Sequence, residues 1–450
     1  MPTNPTTAPA DEQPSFAEAF MVWLKIGLLS FGGPAGQIAL MHRIVVDEKR
    51  WVPEDRFLHA LNYCMLLPGP EAQQLATYIG WLLHGTRGGL AAGLLFIIPG
   101  ALVILALSFI YVLFAGVPLL DAIFLGIKAA VLVVVIEALL RIGKRILKNG
   151  LMKVIAVLAF IGIFALNLPF PLIVLGAGLI GFIGIRSGIA RFDVLTGQVS
   201  DTASVADAAP RSLGRAFIIL VAGLVIWAAP VVLAALALGP EHTLVQEGIF
   251  FSKLAVVTFG GAYAVLAYMA QQAVETYAWL SAGEMLDGLG LAESTPGPLI
   301  MVTQFVGFLG AYRNAAPFDA ATAAVLGSAM TVWVTFVPCF LWIFLGAPYV
   351  ERLRHNHDIS AALSTITAAI VGVIANLAVW FGLHVLFTDV STQTFGPLNI
   401  LVPSLQSLDL SALVLSIIAA IALLRFHLNV VWTLCGCALL GVLASLITAT

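Results

Sequence analysis

Charge is scarce in this chain: Asp, Glu, Lys and Arg together make up 10% of its 450 residues, far below the roughly 25% of soluble domains. With 60% of residues hydrophobic and a mean hydropathy of +1.02, a soluble globular domain is excluded. There is no basic or acidic tail and the formal net charge is −3, so no electrostatic case exists for nucleic acid as a partner. Cysteine is sparse too. Cys64, Cys339, Cys435 and Cys437 lie in apolar runs, and Cys435-x-Cys437 has the spacing of neither a zinc knuckle nor a redox pair, so all four read as small packing residues. HExxH, Walker, GxSxG and paired-ligand motifs are missing; no enzyme, metal site, cofactor or nucleotide-driven pump is expected. Residues 1–15 are polar and contain no Lys or Arg, unlike the basic start of a cleavable signal peptide, so the first apolar segment is expected to be retained.

What the chain has in abundance is apolar runs long enough to cross a hydrocarbon core about 30 Å thick as helices. Nothing alternates as a barrel strand would, so an all-α polytopic membrane protein is expected. Spans are read near 16–38, 57–84, 90–114, 121–140, 151–167, 171–185, 214–237, 244–268, 284–312, 320–345, 359–387, 408–424 and 428–447, about 13 crossings bounded by Gly, Pro and charge. Basic clusters at Arg141, Lys144, Arg145, Lys148 and Lys153, at Arg186, Arg191, Arg211 and Arg215, and at Arg352 and Arg354 fall on one face of this arrangement. The positive-inside rule makes that face cytoplasmic, with the N-terminus inside and the C-terminus outside. Four divisions follow: a polar tail 1–15, a first unit 16–185, a cytoplasmic linker 186–213 and a second unit 214–450. The loop 42–56, with Arg43, Lys49, Arg50 and Arg56, fits poorly, because this arrangement puts it outside. Either it lines a basic external vestibule, which is the preferred reading, or 57–84 is a re-entrant hairpin and the loop is cytoplasmic.

The chain also repeats itself. Phe31-Gly32-Gly33 matches Phe259-Gly260-Gly261, Trp51 matches Trp279, Pro68-Gly69-Pro70 matches Pro296-Gly297-Pro298 and Lys25 matches Lys253, all at an offset of 228. Agreement of four features at one offset marks a duplicated unit. Farther on the register slips, Pro99 matching Pro338 at 239. Seven spans, the first helix included, separate that helix from the start of its copy, and an odd number inverts the copy. Inverted repeats with a midplane site between broken helices are a recurring transporter architecture.

Proline lacks a donor and glycine adds freedom, so each Pro-Gly-Pro is expected to split its segment into half-helices. Gly32-Gly33-Pro34 and Gly260-Gly261 are expected to break their helices similarly, although close helix packing is the alternative for those glycines. The freed N–H groups and dipole of a half-helix start suit an anion. Candidate substrate-binding residues are Lys25, Ser30, Gly32, Gly33, Pro34, Gly69, Pro70 and Gln73 in the first copy, and Lys253, Thr258, Gly260, Gly261, Thr295, Gly297, Pro298 and Gln304 in the second. Lys25 and Lys253 would neutralise the anion or snorkel to an interface. Glu71, Glu293 and His59 are candidate coupling groups, against plainer readings of a dipole-favoured acid or an ordinary hydrogen-bonded His. His84 and His384 carry the same pair of readings, and Glu137 and Arg141, four apart, read as a pair along one helix.

The segments "SFGGPAGQIALMHR", "RWVPEDRFLHALNYCMLLPGPEAQQLATYIGWLLHG", "KLAVVTFGGAYAVLAYMAQQAVETYAWL" and "MLDGLGLAESTPGPLIMVTQFVGFLGAY" resemble the chromate ion transporter family in its long, two-domain form. The resemblance spans nearly the whole chain. It implies export of chromate across a bacterial cytoplasmic membrane, driven by the proton motive force, through two homologous domains of opposite orientation. The signature positions it carries over are Phe31, Gly32, Gly33, Pro34, Gly36, Gln37, Trp51, Pro68, Gly69, Pro70, Glu71, Phe259, Gly260, Gly261, Pro296, Gly297 and Pro298. Ala262 stands where the first copy has Pro34, so the half-sites need not be equivalent. Expected partners are chromate or a related oxyanion, protons and the lipid bilayer; oligomeric state stays open, a homodimer included. Sulfate shares chromate's shape and charge, so a sulfate transporter is one alternative and an anion channel another. A membrane-bound oxyanion reductase using Cys64 or Cys437 is a third.

Overall fold

A computed structural model describes residues 14–187, 213–259, 262–346, 357–396 and 398–448. Most of the linker expected at 186–213, together with Gly260 and Gly261, lies outside the described residues. Sixteen helices and one β-hairpin make up the described chain.

The first copy opens with four short helical arms. α1 (Phe16–Leu29) is capped by Ser15, whose side chain accepts from Glu18 N. α2 (Gly33–His42) continues as a π turn to Glu48. Next come α3 (Glu54–Cys64) and α4 (Glu71–Leu113), the latter reversing at His84 and Gly85 into arms 71–83 and 86–113. Lys49 Nζ lies 2.7 Å from Glu18 Oε1, so α2 returns alongside the start of α1. The Tyr63 and Tyr78 rings, 5.5 Å apart, show the same fold-back between α3 and the first arm of α4.

The second copy repeats both hairpins. α9 (Thr243–Val257) is met by α10 (Ala262–Gln271) and the π turn Gln272–Thr276, with the Phe250 ring tilted against Tyr268 at 5.7 Å and Tyr277 at 5.5 Å. α11 (Ala282–Ser294) is met by α12 (Val302–Arg313), with Gly288 against the Phe305 ring and Arg313 Nη1 3.0 Å from Glu284 Oε2 across the base.

The Gly32-Gly33 and Pro-Gly-Pro breaks thus form where expected, and 16–38, 57–84, 244–268 and 284–312 each hold two arms folded back on each other, not one continuous helix. Two physical causes act together. Gly69 and Gly297 sit at φ +123° and +100°, in the left-handed region that turns the chain back, and the following prolines start new helices. Arms of 10 to 15 residues measure about 15–23 Å, short of the roughly 30 Å core.

The remaining elements are the second arm of α4, α5 (Pro118–Ile146), α6 (Gly150–Phe164), α7 (Phe170–Arg186), α8 (Leu213–Leu238), α13 (Ala320–Gly346), α14 (His357–Leu386), α15 (Leu410–Ala420, extended by a π turn to Arg425) and α16 (Val430–Thr448). Five of the described helices are long and apolar enough to cross a membrane, at 71–113, 118–146, 216–238, 320–346 and 361–386. Large apolar side chains such as Leu175, Leu233 and Leu236 stand exposed on α7 and α8, as lipid contact demands. Small residues let backbones close in: Gly126 meets the Cys437–Ala438 backbone and Gly441 meets Ala122, joining α5 to α16. β1 (Val390–Phe395) and β2 (Leu398–Pro403) form the only described sheet, antiparallel with Thr392 opposite Leu401, and Asn399 N donates to Ala165 O at the end of α6.

Along the second arm of α4 the two pairs of hairpins take opposite ends. Phe16 packs on His84 and Gly27 on Leu95. At the middle Gly100 meets the Pro296–Gly297 backbone. Toward the far end Phe308 packs on Phe109 at 4.8 Å, and Tyr111 Oη donates to Asp287 Oδ2 at 2.8 Å. α13 repeats this in reverse: Thr331 packs on Gly307, Cys339 faces Gly69, and Trp342 O accepts from Tyr63 Oη.

Candidate functional site

The four hairpin tips meet. Ser30 Oγ donates back to Ile26 O at 2.6 Å and Thr258 Oγ1 to Leu254 O at 2.5 Å, ending α1 and α9 in the same way. Each residue's own carbonyl is left for the other copy. Gly297 N donates to Ser30 O at 2.9 Å, and Gly69 N donates to Thr258 O at 2.8 Å. The two bonds are related by the 228-residue offset at both ends. Gln37 staples the junction further, its Nε2 donating to Gly297 O at 2.6 Å and Ser30 O at 3.3 Å.

Every returning arm starts at this junction, so α2, α4, α10 and the turn into α12 all aim their N-terminal, partly positive ends at one region. Carbonyls at the ends of α1 and α9 are already taken by Gly297 and Gly69. What remains is rich in donors, and Gly32 to Gly36 are partly exposed. This is the polarity an anion needs.

Of the expected site residues, the junction gathers Ser30, Gly32, Gly33, Pro34, Gly69, Pro70, Thr258, Gly297 and Pro298. Thr295 is buried beside it and donates to Ala292 O. Gln73 and Gln304 sit within the returning arms, donating to Thr77 Oγ1 and Ala101 O. Glu71 opens α4, within reach of the Arg145 charge. Glu293 accepts from Tyr263 Oη at 2.7 Å and feels the charges of Arg141 and Glu137. His59 lies partway along α3, below the tip. His84 meets Pro14 O at the α4 reversal, and His384 meets Trp380 O. Lys25 and Lys253 have exposed side chains on the outward faces of α1 and α9, with no carboxylate in ion-pair range among the described residues. The polar cavity formed by Asn167, Gln271, Glu275, Asn376 and Asn399 lies under the β-hairpin, away from the junction.

Four participants were not anticipated: Arg141 and Arg145 on α5, Tyr263, and the stapling role of Gln37. Arg141 does pair with Glu137, 3.4 Å apart as the i,i+4 spacing predicts. Yet the same stripe faces the tips, with Arg145 Nη2 3.9 Å from Met65 Sδ. Its signal in the sequence is recurrence of Glu137, Arg141 and Arg145 every four residues on an apolar helix. Fold-back brings Met65 and Glu293 under that stripe.

A multi-pass helical membrane protein whose broken hairpins meet tip to tip is built like a solute carrier, not like a soluble enzyme. The chain belongs to the chromate transporter family, which it matches over residues 17–182 and 245–442. It is 32% identical to a chromate transport protein of Pseudomonas aeruginosa, over 83% of this chain and 82% of that one. It is 28% identical to a probable chromate transport protein of Synechococcus elongatus, over 91% and 95%, and 26% identical to an uncharacterized transporter of Methanocaldococcus jannaschii, over 83% and 86%. No solved structure matches.

Proposed function

We propose that this chain is a secondary transporter that exports chromate across the cytoplasmic membrane, coupled to the proton motive force, with the anion held at the hairpin junction. The observation that carries this reading is the reciprocal pair of tip bonds with four helix starts converging on them. Chromate is a tetrahedral oxyanion, and backbone N–H groups with a nearby guanidinium are its natural partners. Arg141 and Arg145 supply the charge from α5, and Glu71 and Glu293 compete with the anion for it.

Taking the four hairpins as re-entrant leaves nine crossings: the second arm of α4, α5 to α8, and α13 to α16. Five of them separate the first hairpin from its copy, so the units 16–185 and 214–450 are inverted. The odd parity survives because both 16–38 and 57–84 leave the count, not one of them alone. The loop 42–56 then faces the cytoplasm with Arg87, Lys144, Lys148, Lys153 and Arg186, while Glu241, Asp319, Asp389 and Asp409 lie outside, as the positive-inside rule requires. The N-terminus is cytoplasmic and the C-terminus external. The halves rock about the junction to expose the anion alternately.

Uptake of chromate into inverted vesicles, with the lumen made acidic and sulfate added in competition, tests substrate and energy source together. Accumulation that rises with the gradient and resists sulfate is expected. Flux insensitive to the imposed gradient would mean a channel, and equal competition by sulfate a general oxyanion carrier. For topology, Asp55→Cys in a Cys435→Ser background should react with an impermeant maleimide only from the cytoplasmic side, and Asp319→Cys only from the outside.

A further inference from the structure

Glu247, the fifth residue of α9, is completely buried. Neither carboxyl oxygen has a hydrogen-bond partner among the described residues. The group occupies a notch kept open by two glycines on different helices: a Cβ on Gly310 would come within 2.7 Å of Oε1, and one on Gly327 within 3.0 Å of Oε2. The Trp279 side chain closes the notch, lying 3.0 Å from that same position on Gly310.

Among the described residues no charge compensates it. α9 packs on α8, α10, α12 and α13. α8 carries one ionisable residue, Arg215, in its first turn, at the opposite end of the helix. α10 presents Tyr263, bound to Glu293, and Tyr268. α12 presents Tyr312 and Arg313, and Arg313 is engaged by Glu284 and Trp279 O. α13 offers only Cys339, in its second half. On α9 itself Lys253 is exposed, and at the rim His242 meets Ala316 O while Asp319 caps Thr322. An ionised carboxylate taken out of water without hydrogen bonds or counter-charge costs several kcal/mol. The fold does not require an acid there, because Ala19 stands at the matching place in the first copy.

We infer that Glu247 is a proton-binding site of the second half, loaded from the outer side and emptied as the halves rearrange; the inference rests on the proton coupling proposed above. Its depth suits that role. Four residues past the start of α9 place it about 6 Å below the outer rim, one short step from the acidic compartment. Binding needs no covalent partner: the carboxylate takes up one proton in the closed notch and gives it to water when α9, α12 and α13 part.

Two measurements on the full-length protein test this. Dicyclohexylcarbodiimide adds a carboxylic O–H across its C=N bond and rearranges to a stable N-acylurea on protonated, water-shielded carboxyls; peptide mapping by mass spectrometry at neutral pH should find Glu247 modified. In inverted vesicles with an acidic lumen, Glu247→Gln should lose about tenfold or more of gradient-driven chromate accumulation, while chromate–chromate exchange in preloaded vesicles stays within about twofold of the unsubstituted protein. Absence of the adduct overturns the inference. So does gradient-driven accumulation preserved in Glu247→Gln, and so does loss of exchange together with accumulation, which would make the residue structural. If the unsubstituted protein exchanges chromate but ignores the gradient, the coupling reading fails and the assignment of Glu247 falls with it. If it does not exchange chromate, the substrate reading has failed, and the adduct alone decides whether Glu247 holds a proton.

Discussion

The two copies share a skeleton and differ in what hangs on it. Ser30 and Thr258 end their helices by the same back-bond, and Gly69 and Gly297 make the same turn. At the matched polar positions the copies diverge. Gln37 aligns with Val265, Glu71 with Leu299, Gln73 with Met301, Met65 with Glu293 and Ala19 with Glu247. The backbone is duplicated because both halves of a reciprocal contact must fit each other. Side chains escape that constraint, so the first copy has gathered amides at the junction and the second has gathered buried carboxyls.

Altering the shared skeleton should have the largest effect, and an equal one in either copy. Gly69→Val and Gly297→Val each impose a β-branched residue at positive φ, and a Cβ at 69 would lie 2.9 Å from Cys339 Sγ. Each should lower stability by about 3 kcal/mol or more from strain and overpacking, read as a lower thermal midpoint in detergent with transport lost. If one copy tolerates the change, the symmetry of the junction is broken. Next in size is the charge supplied by α5. Arg145→Gln and Arg141→Gln should each raise the KM for chromate about tenfold, the worth of a charge-assisted contact, with little change in thermal midpoint. A smaller effect separates the copies directly: Gln37→Leu removes the donor to Gly297 O and should cost about 1 kcal/mol in the same denaturation assay, whereas the matching Val265 has no donor to lose. Smallest of all, Lys25→Ala and Lys253→Ala should leave uptake within about twofold, since exposed side chains away from special features contribute little. A strong loss in either would return the lysines to the site.

Much of this plan was legible in the residues. The offset of 228, the helix breaks and the half-helix starts at Pro34, Pro70 and Pro298 all follow from the chemistry of Gly and Pro, which acts locally. Whether the chain continues or doubles back at Gly69 does not. A hairpin of two apolar arms and one crossing helix have the same hydropathy, and only the base contacts, Glu18 with Lys49 and Glu284 with Arg313, distinguish them. Those contacts join residues about thirty apart. Arg141 and Arg145 were hidden for a related reason: on the chain they are neighbours of Lys144 and Lys148 and read as part of a cytoplasmic cluster. Only tertiary packing separates the guanidiniums that face Met65 and Glu293 from the ammonium groups that do not. Lys25 and Lys253 stood out through the repeat, yet a shared position along a helix does not say which way a side chain faces.

The crossed tip bonds, Gly69 to Thr258 and Gly297 to Ser30, also govern assembly. Neither half can finish its own centre, since each lacks the acceptor its own glycine needs until the other arrives. During synthesis the first half must therefore wait in the bilayer with an open seam until some 230 further residues have been made. Halves produced from separate messages should accordingly recover function only as a mixed pair, one of each, and two copies of the same half should fail to close.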